Sequence, residues 1–415
     1  MRKTITLLFL CVSLCGFSQE TINAMFYNLF KFPNSLPQNR QLILKDILDE
    51  YQPDLFMVCE LATENAADLI LNTSLQNQTD PFARALFTPD LSDPADPLQT
   101  MVFYNTRKLT LVSQQKLPTV YRDINQYSFK INVASNNPIY LEVFVAHLKS
   151  STGTANQQTR LQMVQAVTQQ LQNLTQPDTF VLFAGDFNFY RATEPGYQEI
   201  LNPANAIQLI DPINAPGTWQ NNAAFSYLHT QSTRVSNAGF GGGANAGASG
   251  GLDDRFDFIM MSENFNTSTR LAYVTDTYKA FGNNGNCFDK SVNDTDCSGI
   301  FSQNLRNNLY NMSDHLPVVM QFQLNESLSR STQVLKPTIW FESANVHDKE
   351  IVLGIDSSKA MVPTKLYVYN AVGQMVETVA VNNQSSIVIN IEHWAAGIYF
   401  VKTNAHASTL KFIKK

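Results

Sequence analysis

The stretch that most constrains the fold is an apolar run that stops at a pair of polar side chains. Residues 180–190 read Phe-Val-Leu-Phe-Ala-Gly-Asp-Phe-Asn-Phe-Tyr, which is typical of a buried strand ending near Gly185. Asp186 and Asn188 are two residues apart, so on an extended backbone they point to the same side. A carboxylate suits a hard metal ion, and an amide can donate to a phosphate oxygen. The alternative is an Asx-type turn that only ends the strand.

The composition indicates a globular protein with room for more than one domain. The chain has 415 residues, of which 44% are hydrophobic and 15% are charged, with a net charge of −6. This balance argues against a protein held to nucleic acid by a broad basic face. It does not exclude an enzyme that grips a few phosphates locally.

The first 18 residues are predicted to be a signal peptide. Arg2 and Lys3 precede a short apolar segment, and residues 16–18 form a small-x-small cleavage site. The apolar segment is too short to span a membrane, and no other stretch is long and apolar enough to do so. We therefore expect a secreted protein without an integral membrane segment, acting as a monomer.

The cysteines fit an exported protein. Cys287 and Cys297 flank a polar, acidic loop, and we expect them to form a disulfide. The acidic loop could instead bind calcium, although its spacing is not that of a known calcium loop. Cys59 lies in an apolar strand and is predicted to be a buried free thiol.

The chain divides into two folded parts. Residues 19–325 mix strands and helices, which suggests two packed sheets with outer helices. Residues 326–337 read as a polar linker, and residues 338–415 contain short alternating strands typical of a small all-β sandwich. The Gly-rich stretch 239–251 is predicted to be a mobile loop, because its glycines lack the spacing of a nucleotide-binding loop.

Polar residues stand at the ends of several apolar runs in the first part. Each residue taken alone could have a purely structural role, as a turn residue, a helix cap or a hydrogen-bonded histidine in the core. One shared pocket explains them together better than independent structural roles do. The residues are Asn28, Glu60, His147, Asp186 with Asn188, Asp257, and Asp314 with His315.

The motifs around these residues resemble those of the endonuclease/exonuclease/phosphatase superfamily, over about residues 21–324. They include Asp-Leu-Phe-Met-Val-Cys-Glu-Leu, Ala-His-Leu-Lys-Ser, Gly-Asp-Phe-Asn, Asp-Asp-Arg-Phe-Asp-Phe-Ile and Ser-Asp-His-Leu-Pro-Val, in that order. The resemblance implies a four-layer α/β sandwich, with two sheets inside and helices outside. The chain departs from the family at Cys59, where a glutamine usually precedes the metal-binding glutamate.

The resemblance also implies a role for each residue of the pocket. Glu60 would be the principal Mg²⁺ ligand, with Asn28 and Asp314 beside it, although Mn²⁺ or Ca²⁺ could take the place of Mg²⁺. His315 would be the general base, oriented by Asp257. Asp186 and Asn188 would position the water and the phosphate, and His147 would donate to a phosphoryl oxygen or the leaving group.

Three further residues are assigned by their position near these motifs. Tyr104 matches a phosphate-contacting tyrosine of the exonuclease branch, so it is expected at the catalytic site. Lys149 and Arg160 follow His147 and are expected to grip flanking phosphates.

The last domain resembles the type A sorting domain of the type IX secretion system. The resemblance rests on Val-Tyr-Asn-Ala-Val-Gly-Gln-Met-Val at 368–376, on Gly-Ile-Tyr-Phe-Val at 397–401 and on the terminal Lys-Phe-Ile-Lys-Lys. It implies export through the type IX machinery, to the cell surface or beyond, with removal of this domain on the way. A carbohydrate-binding sandwich is the alternative, but it lacks an aromatic platform.

The function that follows is an extracellular, divalent-metal-dependent nuclease that hydrolyses DNA or RNA with a His-activated water. A sphingomyelinase-like or small-molecule phosphodiesterase or phosphatase on the same fold is the first rival. A sphingomyelinase usually has an exposed aromatic hairpin for membrane docking, and none is evident. A non-catalytic binding protein is the second rival, against which the complete set of expected catalytic residues argues.

Overall fold

The computed structural model describes most of the chain between residues 20 and 415. The described ranges are 20–76, 80–90, 92, 98–174, 176, 179–231, 234, 247–328, 339–342, 345–355, 364–382, 384–403 and 409–415. The predicted signal peptide lies outside them, as do residues 239–246 of the Gly-rich stretch and 329–337 of the predicted linker.

The first sheet of the larger part has seven strands within the described ranges. Its order is β11-β13-β1-β2-β4-β3, and β12 also pairs with β13. The strands are β1 (Glu20–Phe32), β2 (Leu55–Leu61), β3 (Phe82–Arg84), β4 (Gln99–Asn105), β11 (Leu271–Tyr273), β12 (Lys279–Ala280) and β13 (Val318–Leu324).

The second sheet has six strands in the described part of the chain, in the order β5-β6-β7-β8-β10-β9. The strands are β5 (Leu109–Leu117), β6 (Ile124–Ile131), β7 (Ile139–His147), β8 (Thr179–Asp186), β9 (Leu209–Ile210) and β10 (Asp257–Ser262).

Helices cover the outer face of each sheet. They are α1 (Arg40–Tyr51), α2 (Glu64–Leu69), α3 (Thr154–Leu171), α4 (Pro195–Ile200) and α5 (Gln303–Met312). One apolar cluster lies between the two sheets, a second lies between the first sheet and α1, α2 and α5, and a third lies between the second sheet and α3 and α4. The predicted four-layer α/β sandwich is therefore confirmed.

Strand direction brings the predicted pocket residues to one edge of the sandwich. β1 runs parallel to β2, and β7 runs parallel to β8, so Asn28, Glu60, His147 and Asp186 all stand near carboxyl ends of strands. β10 and β13 run antiparallel to β8 and β1, so the residues at or before their amino ends meet the same edge. Asp257 begins β10, directly opposite Asp186.

The described residues from 339 onward form a second unit with its own apolar core. It contains a three-stranded sheet, β14-β16-β19, and a five-stranded sheet, β15-β21-β20-β17-β18. The strands are β14 (Ile339–Phe341), β15 (Val346–His347), β16 (Glu350–Ile355), β17 (Lys365–Asn370), β18 (Met375–Ala380), β19 (Ser386–Asn390), β20 (Gly397–Thr403) and β21 (Thr409–Lys414). Among the described helices, none combines the length and apolar character needed to cross a membrane.

Candidate active site at the sandwich edge

Asp186 lies at the centre of the predicted pocket. Its Oδ2 accepts a hydrogen bond from Asn28 Nδ2 at 3.1 Å, and it lies 3.5 Å from His147 Nε2 and 3.8 Å from His315 Nε2. Burial, followed by the charges of Asp257 and Glu60, raises the pKa of Asp186 to about 7, against the opposing effects of His315 and Asn28. One oxygen atom thus joins residues from both sheets.

Glu60 occupies a strained position at the end of β2. Its φ of 57° lies in the left-handed region, which is uncommon for a residue with a Cβ and is often found at functional sites. Its carboxylate accepts hydrogen bonds from Asn28 Nδ2 at 3.0 Å and from the backbone N–H of Lys31 at 3.1 Å. Burial, with Asp314 adding repulsion, raises the pKa of Glu60.

His315 is oriented by Asp257. Its Nδ1 lies 2.7 Å from Asp257 Oδ2, which leaves Nε2 directed towards Asp186. Burial alone would lower the pKa of His315, but the charges of Asp257 and Asp186 outweigh it, so the pKa lies well above its ordinary value. Thr230 Oγ1 accepts the backbone N–H of Asp257 at 3.1 Å and fixes the start of β10.

His147 has the opposite electrostatic environment. Burial and the nearby charge of Arg122 lower its pKa well below the ordinary value, so the imidazole is neutral. Its buried Nδ1 has no hydrogen-bond partner among the described residues. The site therefore pairs one histidine that favours the charged form with one that favours the neutral form.

Asp314 lies against the end of the Gly-rich stretch. Its Oδ2 accepts the backbone N–H of Ala248 at 2.9 Å, while its buried Oδ1 has no hydrogen-bond partner in the described chain. A Cβ on Gly247 would come within 2.5 Å of Asp314 Cβ, so this approach requires glycine. Gly247 and Ala248, at the described end of the stretch, thus lie against this side of the pocket.

Asn188 and Lys149 lie beside the pocket, near Leu148 and His147 respectively. Asn188 has a φ of 52°, and its buried side chain donates weakly to the carbonyl of Leu148 at 3.4 Å. Lys149 is half-exposed and its Nζ lies 5.0 Å from the centroid of the Tyr121 ring. Both residues can reach a group bound at the edge.

Arg160 does not have the substrate-binding role expected of it. Its side chain is fully buried and forms an ion pair with Glu194 at 2.6 Å. It also donates to the carbonyls of Lys149 and Ser151, at 2.7 and 3.0 Å. Arg160 therefore shapes the loop after His147 from inside, and its charge is already neutralised by Glu194.

The assignment of Tyr104 to the catalytic site is also wrong. The β2–β4 register places Tyr104 beside Leu55, five residues along β2 from Glu60, which is about 16 Å at strand spacing. Its ring packs edge-on against Phe129 in the core between the sheets, with centroids 5.1 Å apart. The motif around Tyr104 does not determine which residue of β2 lies beside it.

Arg122 is a residue of the site that sequence analysis missed. It is buried just before β6. After burial, its positive charge is the next cause that lowers the pKa of His147, and it partly opposes the burial that raises the pKa of Glu60. Its guanidinium stacks on the Tyr121 ring at 4.7 Å, so this ring lies close to the charges of both Arg122 and Lys149. A single arginine in a polar segment carries no pattern that would have identified it.

Two overlapping groups of side chains are close enough to share a cation. The ligand atoms of Glu60, His147 and Asp186 lie within 4.8 Å of one another, and so do those of Asp186, Asp257 and His315. Oδ1 of Asp257 and Oδ1 of Asp314 are buried and without hydrogen-bond partners in the described chain. Buried, mutually repelling carboxylates with spare oxygens suit a hard divalent cation.

The cysteines behave as the sequence predicts. Cys287 and Cys297 form a disulfide, and Cys59 is a buried free thiol on β2. Burial and the nearby charge of Asp186 raise the pKa of Cys59 well above its ordinary value, which keeps the thiol protonated and unreactive.

Comparison with known proteins gave one family match, to the tail. Residues 349–415 match the family model described as the secretion system C-terminal sorting domain. No curated protein sequence matched the chain.

Similar solved structures cover about three quarters of the chain at low identity. The human Nocturnin catalytic domain with bound sulfate is 16% identical, with a TM-score of 0.47, over 74% of this chain and 98% of that one. D. rerio TDP2 with a single-strand DNA product is 15% identical, with a TM-score of 0.45, over 73% and 98%. An endonuclease/exonuclease/phosphatase family protein from Bacteroides thetaiotaomicron is 14% identical, with a TM-score of 0.43, over 74% and 99%. The chain thus carries a secretion-system sorting domain that follows a four-layer α/β unit in sequence. This domain indicates export to the cell surface or beyond.

Proposed function

We propose that the chain is a secreted, divalent-metal-dependent phosphodiesterase, and specifically an extracellular nuclease that cleaves DNA or RNA. The observation that carries the proposal is the convergence on Asp186 Oδ2 of Asn28, His147 and His315, with Asp257 bonded to His315. An acid–base pair of histidines beside clustered carboxylates matches the needs of phosphodiester hydrolysis. That reaction requires proton transfer and neutralisation of charge on phosphoryl oxygens.

The donor set fits Mg²⁺, with Mn²⁺ and Ca²⁺ as alternatives. Glu60 and Asp314 supply carboxylate oxygens, and the Asn28 amide oxygen, which accepts the backbone N–H of Phe30 at 3.0 Å, retains a second lone pair. When bound, such a cation neutralises phosphoryl charge and lowers the pKa of an attacking water.

His315 is the general base in this proposal and acts in the molecules whose ring is neutral, because the charged form that Asp257 and Asp186 favour has no free nitrogen to accept a proton. The bond from Nδ1 to Asp257 fixes the ring and leaves Nε2 as the atom that takes a proton from water. Asp257 and Asp186 stabilise the imidazolium that forms, as the raised pKa of His315 reflects. Asp257 is thus a positioning residue that acts through His315.

His147 and Asn188 are the proposed contacts to the phosphoryl group. A neutral His147 carries one ring N–H, which can donate to a phosphoryl oxygen or to the leaving oxygen. The Asn188 amide has a second N–H besides the one directed at Leu148. Asp186 holds both histidines on the same side of the reacting group.

Local cations support nucleic acid as the substrate class. Lys149 and Arg122 lie against the Tyr121 ring, and both charges act on His147. The half-exposed Lys149, supported by the charge of the buried Arg122, offers positive charge to phosphates next to the scissile bond. Because the chain as a whole carries a net charge of −6, binding must depend on these few contacts. A shallow dependence of cleavage on salt concentration follows.

Cleavage of alternative substrates by the purified chain tests the proposal. Plasmid DNA, RNA and sphingomyelin vesicles are each incubated with Mg²⁺ and, separately, with EDTA. We expect Mg²⁺-dependent cleavage of DNA, RNA or both. Hydrolysis of sphingomyelin without cleavage of either nucleic acid would replace the nuclease with a lipid phosphodiesterase.

A further inference from the structure

Asp254 is a buried carboxylate that the mechanism above does not use. Asp254 is 7% exposed, and its buried Oδ1 accepts no hydrogen bond from any described residue. Burying a carboxylate without a partner is unfavourable for folding. Burial, and then the charge of Asp253, raise the pKa of Asp254 to about 7, while His315 opposes this shift.

The residue lies at the rim of the catalytic pocket. Gln231 forms isolated bridges both to Asp254 and to His315, so two interstrand spacings place their backbones within about 10 Å of each other. The segment before β10 continues alongside the chain that follows β8, because Phe187 N–H donates to the carbonyl of Phe256 at 2.7 Å. Burial, and then the charge of Asp254, raise the pKa of Tyr190, two residues beyond Asn188.

The backbone around Asp254 is held on several sides. The carbonyl of Asp254 accepts the N–H groups of Thr230 and Gln231, at 2.8 and 3.0 Å. The carbonyl of Asp253 accepts the N–H of Asn221 at 2.9 Å, and the N–H of Leu252 donates to a carbonyl in the disulfide-closed loop at 2.9 Å. These hydrogen bonds fix the backbone that carries the Asp254 carboxylate, so the carboxylate is preorganised.

The chemistry of the Asp254 carboxylate selects the kind of ligand. One carboxylate is a poor site for a hard cation, which takes several oxygen ligands, and no cation-sharing group among the described residues includes Asp254. A neutral hydrogen-bond donor fits best, and the donor covalently nearest to a nucleotide's phosphate is a hydroxyl of its sugar.

We propose that Asp254 forms a subsite for the ribose hydroxyl of the nucleotide bound at the catalytic centre, so that the site prefers RNA to DNA. The inference rests on the proposed nuclease function and deepens it. Carboxylates accept ribose hydroxyls in nucleotide-binding proteins, and the 2′-hydroxyl is the group by which proteins distinguish RNA from DNA.

Equilibrium binding tests the subsite without relying on turnover. Adenosine 5′-monophosphate and its 2′-deoxy analogue are titrated by calorimetry into the full chain in EDTA, and into its Asp254→Leu, Asp254→Asn and Asp253→Asn variants. A hydrogen bond to a charged acceptor implies at least about tenfold tighter binding of the ribonucleotide by the unmodified chain. Asp254→Leu is expected to reduce this preference to within about twofold, whereas the neighbouring control Asp253→Asn is expected to retain it.

Thermal unfolding supplies a second readout. Because Asp254→Leu removes a carboxylate oxygen that is buried without a partner among the described residues, we expect its Tm to rise by about 2–4 °C. Equal affinity of the unmodified chain for the two nucleotides, or binding of neither, would overturn the subsite. Preference retained in Asp254→Leu would also overturn it. Failure of the nuclease proposal has a different signature, namely the absence of metal-dependent cleavage of any diester by the unmodified chain.

Discussion

His315 Nδ1 lies 2.7 Å from Asp257 Oδ2, and the two residues belong to segments that lead into different sheets. Asp257 begins β10 of the second sheet, whereas His315 precedes β13 of the first. The pair therefore exists only when the two sheets are packed together. The orientation of the proposed base depends on the whole sandwich and not on a local motif.

Replacing Asp257 by Asn is expected to lower kcat by about 10²–10⁴-fold, the usual range for loss of an acid–base function. Asp257 raises the pKa of His315, so loss of its charge lowers that pKa. The acidic limb of the pH–rate profile should then move to lower pH while the plateau falls. A lower plateau with an unmoved acidic limb would mean that Asp257 has only a structural role.

Replacing Glu60 by Gln is expected to weaken Mg²⁺ or Mn²⁺ binding by at least about tenfold, because the variant loses the anionic ligand that a hard cation prefers. Isothermal calorimetry on the full chain measures this. Glu142→Gln is the matched control, since Glu142 is also a buried glutamate but accepts hydrogen bonds from Gln126 and Ser128 within β6 and β7. Equal affinities for all three proteins would remove Glu60 from the metal site.

Replacing Arg160 by Met is expected to destabilise the protein by about 3–5 kcal/mol, because it leaves the buried Glu194 without its partner. Urea denaturation measures the free energy of unfolding. Lys149→Ala should instead leave that free energy within about 0.5 kcal/mol and weaken nucleic-acid cleavage. A stable Arg160→Met variant with weakened substrate binding would restore the role first predicted from sequence.

Reducing the Cys287–Cys297 disulfide is expected to lower the free energy of unfolding by about 3 kcal/mol, from the chain entropy of a loop with a sequence separation of 10. Denaturation with and without reductant measures the difference. If the bond forms in solution, reduction should lower the free energy of unfolding by more than the Cys59→Ser substitution does in the oxidised chain. Two free thiols in exported protein, detected by mass spectrometry, would contradict the bond.

The parts of the site that sequence could predict are those written in local patterns. An apolar run followed by Asp186 and Asn188 indicates a buried strand with polar groups at its end, and parallel strands bring such ends together. The same reasoning placed Glu60 and His147 at one edge. The two-sheet architecture and the disulfide followed from similarly local signals.

The errors and omissions share a physical cause, which is that sequence position does not fix where a side chain points. Tyr104 lies on a predicted strand, but its register with β2 places it far from Glu60. Arg160 lies on α3, the helix that follows His147, yet its side chain points into the protein towards Glu194. Arg122 acts through burial and through its charge on His147, which is distant in sequence, and no short motif records this.

This edge of the sandwich is proposed to hydrolyse phosphodiesters with the help of a divalent cation bound at Glu60. The most direct test is the hydrolysis of bis(4-nitrophenyl) phosphate by the purified chain with Mg²⁺ or Mn²⁺, compared with EDTA and with Glu60→Gln. The account predicts metal-dependent release of nitrophenol that EDTA abolishes and that falls by at least about 10²-fold in Glu60→Gln, with Glu142→Gln unaffected. Hydrolysis that persists in EDTA, or that a folded Glu60→Gln variant retains in full, would contradict it.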